Sequence, residues 1–492
     1  MEVMNDFLDE ALSLHYSARV PRAMAAETRW VVEYARRFNE EVTRVLGLQT
    51  DRRTHEDPSY VPDDLLKICN EWGLYTLWVP KIFGGQGYNM PSLAYFVEQV
   101  ASVCLGIANI IGVHYLGVTG MMMASEAPVI RRVMREVVAG EHSGKPCVIA
   151  LAITEPSGGT DVEEIEHLLD KGKVRCLAKR VPGGYVLNGT KIFISMGSLS
   201  EWTVVYGYTD LKHPADTMVA MMVKRGMPCF SVGRHEDKMG QRACPANVID
   251  FEDCFVPDDL VMLDAERIRR ATSRPPRETW MRHIDYIVSI TRPVVAAFGT
   301  GAGRGAFEAV CAYVAMTELE GRPMINHEWV QCRLAEMYRN VRLSQFAYAE
   351  GNNANGHRGP YNLLQMWPMY GLLRYTPRWA FDKVMSPLLS NRLGSWLLRK
   401  WYYDWQKPED QHLCTGLGSL AKFTCTELGL ENCQMALEIM GQHGLRHDNG
   451  LEKILRDVKL LQIYEGTNQL NRLNLFKSLV APKIAQATPF AD

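Results

Sequence analysis

Residues 461–470 read LQIYEGTNQL, a run that leaves an apolar stretch through a single carboxylate, Glu465, directly into Gly466 and Thr467. Glycine breaks a helix and threonine caps the next one, so these residues place Glu465 at a junction between two helices. Ile463 and Tyr464 are its apolar neighbours. A carboxylate held there is a candidate for chemistry. The ordinary alternative is a solvated loop acid, and on these residues alone it is the commoner case. Other chemistry is poorly represented: the 12 cysteines are scattered, with no CxxC and no Cys/His cluster at metal-ligand spacing. They read as reduced, mostly buried thiols of a cytoplasm-like compartment, and no metal site is expected.

The elements that must position Glu465 come from a chain of 492 residues, too long for one hydrophobic core, so two or three domains are expected. Apolar content of 47%, charge of 22% and a net charge of −2 describe a globular protein with no nucleic-acid footprint. The start, MEVMNDFLDEALSLHYSAR, carries acids where a secretory or transit leader needs basic residues. Residues 100–125 carry no formal charge over a bilayer-spanning length, yet hold four glycines, Asn109 and His114. A central helix buried on all sides is the preferred reading.

Apolar spacings of three and four mark residues 1–146 as helical. Short β-type runs follow, among them VIALAIT, YVLNGTKIFIS, WTVVYGY and TMVAMMV, which define a central β domain over 147–263. The basic segment RIRRATSRPPRETW, 267–280, reads as a linker or exposed loop. The helical period returns beyond it, giving a C-terminal helical region, 264–492. The fold class is α+β, with helices, sheet and helices in that order.

Six local sequences then occur in a telling order: LAITEPSGGTD (151–161), VLNGTKIFISMG (186–197), RGMPCFSVGRHEDKMGQRACPANVIDFEDCFVP (225–257), TRPVVAA (291–297), RLAEM (333–337) and ILRDVKLLQIYEGTNQ (454–469). From about residue 60 to 480 the chain resembles the acyl-CoA dehydrogenases, a family of FAD flavoenzymes. The resemblance implies an N-terminal helical domain, a central β barrel-like domain and a C-terminal four-helix bundle. It also implies a homo-oligomer, a dimer or a tetramer.

The implied reaction is α,β-dehydrogenation of an acyl-CoA thioester, with electrons passed to an electron-transfer flavoprotein. YEGT matches the motif that carries the base, so Glu465 would remove the α-proton while a hydride passes to N5 of FAD. A carboxylate can do this only if it is desolvated and the enolate-like oxygen is stabilised by preorganised donors. By the same resemblance Gly466 would let substrate approach the backbone and Tyr464 would wall the pocket. Leu151, Ile153 and Thr154 would line the isoalloxazine. Gly159 and Thr160 would approach the pyrophosphate, with Thr160 also near the pantetheine. Phe193 stands where the family has a tryptophan against the flavin, and Ser195 where a threonine meets N5. Arg292 would lie near the thioester arm, with a salt bridge to a nearby acid as the alternative. Thr467 and Gln469 would bind the adenine side of FAD, and Glu438 and Gly441 the part shared with a neighbouring subunit.

Several residues depart from the family pattern. Ser289 replaces an aspartate that helps hold the adenosine end of CoA. Glu318 replaces a phosphate-binding arginine, with Arg322 nearby as a substitute. Glu438 replaces a glutamine and Gln442 a glycine. About residues 350–412 there is an insertion, in which five of the chain's 11 tryptophans are interleaved with arginines. It is expected to be a structured insertion, a lid on the acyl pocket, a partner face or a membrane-surface contact, the lid or partner face being favoured. Two further functions remain open: a relative acting on bulky cyclic or aromatic-ring acyl-CoA, decarboxylating or oxidase-like, and a catalytically silent subunit of a hetero-oligomer.

Overall fold

The computed structural model describes residues 21–57, 59–484 and 486–491, so the acidic start of the chain lies outside the described residues. Helices occupy the chain up to Ser143. The uncharged stretch 100–125 becomes helix Leu105–Ala124, most of which is buried. It packs on helix Ser92–Ala101, helix Pro276–Met316 and the first strand. With apolar side chains on every face it can sit only in the middle of the molecule.

Eight strands follow: β1 (Ile149–Ala152), β2 (Leu177–Val181), β3 (Gly184–Ser195), β4 (Trp202–Tyr208), β5 (Met218–Lys224), β6 (Phe230–His235), β7 (Ala246–Pro257) and β8 (Val261–Leu263). They form one sheet in the order β6-β7-β3-β2-β4-β5-β8, with β1 parallel to β4. β4 is buried along its whole length, which explains its unbroken apolar run. The ladder of β3 and β7 shifts register between Lys191 and Ile194. This bulge carries Phe193 at φ 58 and turns its ring out of the sheet, 59% exposed.

A buried ion pair ties β3 to the segment after β1. Lys191 Nζ lies 2.9 Å from Glu155 Oε1, with both side chains at most 1% exposed. It also donates to the Ile153 carbonyl at 2.9 Å, while Glu155 Oε2 accepts from the backbone of Arg175 and Cys176. Every polar group of the pair is thus satisfied, the condition under which buried charges are tolerated.

Helices Pro276–Met316, Glu328–His357, Pro408–Met440 and the pair Leu451–Leu460 and Asn468–Leu475 pack together as the C-terminal bundle. Close approach at its centre needs glycine: a Cβ on Gly429 would sit 2.2 Å from the Gly299 carbonyl oxygen. One expectation is corrected. The segment 267–280 is mostly helical, in Ala265–Ala271 and the start of Pro276–Met316, because Pro276 sits in the first turn, where its missing N–H costs nothing. The stretch expected as an insertion at about 350–412 covers the connection between two bundle helices, one running on to His357 and the next starting at Pro408.

Replacing Lys191 by methionine leaves Glu155 buried and unpaired. The expected cost is about 3–5 kcal/mol of folding stability, read as a lowered denaturant midpoint, whereas an unchanged midpoint would show that the pair does not hold this corner.

Candidate active site

Glu465 and Gly466 both have positive φ, 55 and 74. Such a conformation strains a glutamate by about 1–3 kcal/mol and persists only where the surroundings enforce it. Three side chains enforce it through the backbone. Asn471 Nδ2 donates to the carbonyls of Glu465, Gly466 and Thr467, at 3.3, 2.9 and 3.0 Å. Buried Lys422 donates to the Gly466 carbonyl at 2.6 Å and to Asn468 Oδ1 at 2.9 Å. Arg292, fully buried, donates through Nε to the Glu465 carbonyl at 3.3 Å. As the sequence leads one to expect, Thr467 caps the following helix, accepting from the Leu470 N–H at 3.2 Å.

The carboxylate itself receives one neutral donor, the Thr291 hydroxyl, at 2.7 Å. Burial pushes the Glu465 carboxyl up to about 7; the Glu163 carboxylate adds to the shift, and Thr291, Arg292 and Lys422 oppose it. Burial with Arg292 beside it also brings the Lys422 ammonium down to about 7. Among the described residues no protein group accepts from the Glu465 N–H.

Of the residues singled out from sequence, Leu151, Ile153, Thr154, Phe193, Ser195, Tyr464 and Glu465 line a single cleft with about 1120 Å³ of non-atom space, part of it open to solvent. It lies between the sheet, helix Leu105–Ala124 and helix Pro276–Met316. The Thr154 and Ser195 side-chain hydroxyls have no hydrogen-bond partner within the protein among the described residues. An apolar slot with two free hydroxyls, an outward Phe193 ring and Glu465 on its border suits a flavin ring. Gly159 backs this wall, where a Cβ would lie 2.9 Å from Thr154 Oγ1. Thr160 opens a short turn, Thr160–Glu163, that carries Glu163 into the cleft. Tyr464 donates to Gln241 Oε1 at 3.2 Å, and Gln241 also accepts from Asn109, which joins the base loop to the sheet domain and the central helix.

The remaining residues do not join this cleft. Gln469, Glu438 and Gly441 are exposed, and Glu438 pairs with Arg333 at 3.5 Å. Glu318 and Arg322 sit on an exposed two-stranded hairpin, where Arg322 contacts His327. For Arg292 the salt bridge is what the chain forms: its three donor groups go to Glu163 at 3.2 Å, Ser419 at 2.8 Å and the Glu465 carbonyl.

Glu163 is the functional residue that sequence reasoning missed. A Cβ on Gly466 would meet its Oε2 at 2.5 Å, so its carboxylate fills the space beside Gly466 that was expected to admit substrate. It accepts from Arg292 at 3.2 Å, and its own carboxyl is pushed up by burial. In sequence it hides in the acidic run DVEEIEH, which looks like a solvated surface. Thr291 and Asn471 were missed as well, although Thr291 opens the quoted TRPVVAA and Asn471 directly follows LQIYEGTNQL. A lone lysine in GSLAKFTC was the visible signal for Lys422.

The chain belongs to the acyl-CoA dehydrogenase family. Family models of its N-terminal, middle and C-terminal domains match residues 25–141, 150–254, and 281–357 with 398–480. The members are FAD-dependent oxidoreductases. The chain is 24% identical over 425 residues to the mitochondrial isovaleryl-CoA dehydrogenase of Oryza sativa subsp. japonica, covering 86% of this chain and 84% of that one. It is 26% identical over 425 residues to the cyclohex-1-ene-1-carbonyl-CoA dehydrogenase of Geobacter metallireducens, covering 86% and 90%. The fold matches butyryl-CoA dehydrogenase from Megasphaera elsdenii with a TM-score of 0.70 at 18% identity, over 92% of this chain and 98% of that one.

Two substitutions should move the titration of Glu465 in opposite directions. Thr291→Val removes the donor that favours the charged form and raises its pKa, whereas Glu163→Gln removes a like charge and lowers it. In the pH profile of thioester-dependent flavin bleaching, the acid limb is expected at higher pH for the first variant and lower pH for the second. Limbs that coincide with wild type would remove these two groups from the account.

Proposed function

We propose that the protein dehydrogenates the acyl group of a CoA thioester between Cα and Cβ, with Glu465 taking the α-proton. The observation that carries this reading is the Glu465 carboxyl on the border of the slot that suits the flavin ring, held among the described residues by the Thr291 hydroxyl alone and pushed up by burial to about 7. FAD bound there supplies the hydride acceptor. Near neutral pH a group with that pKa is partly ionised and still basic enough to accept a carbon-bound proton. The unused Glu465 N–H offers a donor for the thioester carbonyl, which would stabilise the developing enolate-like charge. Glu163 must leave the space beside Gly466 for the thioester arm to enter, and Arg292 holds its carboxylate until then. The reading includes residues Thr467, Gln469, Glu438 and Gly441 as the adenine-side and inter-subunit part of the FAD site. It also includes a homo-oligomer, a cytoplasmic location and an electron-transfer flavoprotein as acceptor.

The acyl wall narrows the substrate class. It is built from apolar side chains such as Leu93, Val113, Leu116, Ile284, Ile287 and Phe298, with Asn109 and Thr119 as polar interruptions. Among the described residues no lysine or arginine lines the cleft, so none of them would neutralise a terminal carboxylate there. A hydrocarbon acyl group fits, and the resemblance to a cyclohexene-carbonyl-CoA dehydrogenase supports a ring-bearing or branched one.

Glu465→Gln is expected to keep its flavin and to slow thioester-dependent bleaching by about 10²–10⁴-fold; undiminished bleaching would refute the base. For wild type, the rate of proton removal should climb as pH rises towards about 7 and level off above it, because the ionised form of Glu465 is the active one. In a panel of straight, branched, ring-bearing and ω-carboxylated acyl-CoAs, hydrocarbon thioesters should bleach the flavin and ω-carboxylated ones should not. Preference for a dicarboxylic thioester would contradict the apolar wall.

A further inference from the structure

The connection between the bundle helices, residues 358–407, carries the insertion and packs one side onto its own chain. Tyr370 donates to Glu27 at 3.2 Å, Lys81 donates to the Arg374 carbonyl at 2.7 Å, and the Ser395 hydroxyl accepts from the Ala127 N–H at 2.9 Å. Its other side is the reverse of an ordinary surface. Helix Arg392–Arg399 buries Gly394, Ser395 and Arg399, and turns Leu393, Trp396 and Leu397 outward. Helix Met369–Tyr375 buries Tyr370 and Gly371 and exposes Met369, Leu372 and Tyr375. Fifteen of the 29 exposed large apolar side chains among the described residues lie between Leu363 and Trp405. That is under a tenth of the chain, a concentration that marks an interaction surface.

Charge selects the occupant. Residues 358–407 contain eight lysines and arginines against two aspartates, in a chain whose net charge is −2. Arg378, Lys383, Arg392 and Lys407 are exposed beside the apolar side chains. A two-fold contact with a second copy would set this cationic excess against itself, which is repulsive. Outward-facing tryptophan, tyrosine and leucine interleaved with arginine and lysine match the boundary between anionic headgroups and acyl chains.

We propose that this face of the insertion docks on an anionic lipid bilayer, with Trp379, Leu393 and Trp396 in the headgroup–acyl boundary and Lys383 and Arg392 on lipid phosphates. The contact is independent of the catalytic reading, because none of these five residues lines the acyl cleft.

The test is co-sedimentation of the full-length flavoprotein with phosphatidylcholine vesicles, with and without phosphatidylglycerol. Wild type should pellet with the phosphatidylglycerol vesicles, and binding should fall about tenfold or more on phosphatidylcholine alone or in high salt. The variant Trp379→Ser/Leu393→Ser/Trp396→Ser should lose binding while keeping its flavin and unfolding temperature. Lys383→Glu/Arg392→Glu should also lose it, and leaves the apolar packing untouched should the first variant fold poorly. The proposal is overturned if wild type stays in the supernatant at low salt, or if both variants still pellet. It is equally overturned if the substitutions break up an oligomer in solution, since the face would then be a contact between copies.

Discussion

Two buried cations lie beside Glu465, and neither ion-pairs with it. Arg292 donates to the Glu465 carbonyl and Lys422 to the Gly466 carbonyl, while the carboxylate is left with a single hydroxyl donor. A direct ion pair would hold the carboxyl well below neutrality and spoil it as a base. By gripping the backbone, the cations fix a strained turn without lending their full charge to the side chain. The remaining charge balance is set by Glu163, which occupies the other side of Arg292 and adds its own negative field.

The sheet solves a similar problem on the facing wall. Thr154 keeps a free hydroxyl, and its segment is anchored one residue away, through the Glu155–Lys191 pair and the Ile153 carbonyl. The bulge that follows Lys191 then aims Phe193 into the cleft. Both walls place buried charge next to a reactive position and leave that position unpaired. Helix Pro276–Met316 spans the gap, carrying Thr291 and Arg292 under the turn and apolar cleft-lining side chains on the turns to either side.

Much of this was legible in the residues. The order of helices, sheet and helices follows from period alone, and the sheet side of the cleft from short motifs whose neighbours in sequence are neighbours in space. Thr467 was readable as a cap because capping is local. Glu163 was not, since nothing in an acidic run says that a short turn will fold one member inward against a distant arginine. The inverted helices of the insertion escaped for a related reason. Their periodicity is that of an ordinary amphipathic helix, and only packing decides which face turns inward. The exposed Gln469, Glu438 and Gly441 were named from motif position, and one chain by itself leaves them on its surface.

The most direct measurement is the titration of the Glu465 carboxyl itself, by the infrared difference between wild type and the glutamine variant across pH in the substrate-free flavoprotein. A protonated carboxyl band that persists from acid pH and disappears around pH 7 is the predicted result. A band lost already near pH 4–5, the range of a solvated glutamate, would mean that the cations neutralise the carboxylate after all and that Glu465 is not a desolvated base.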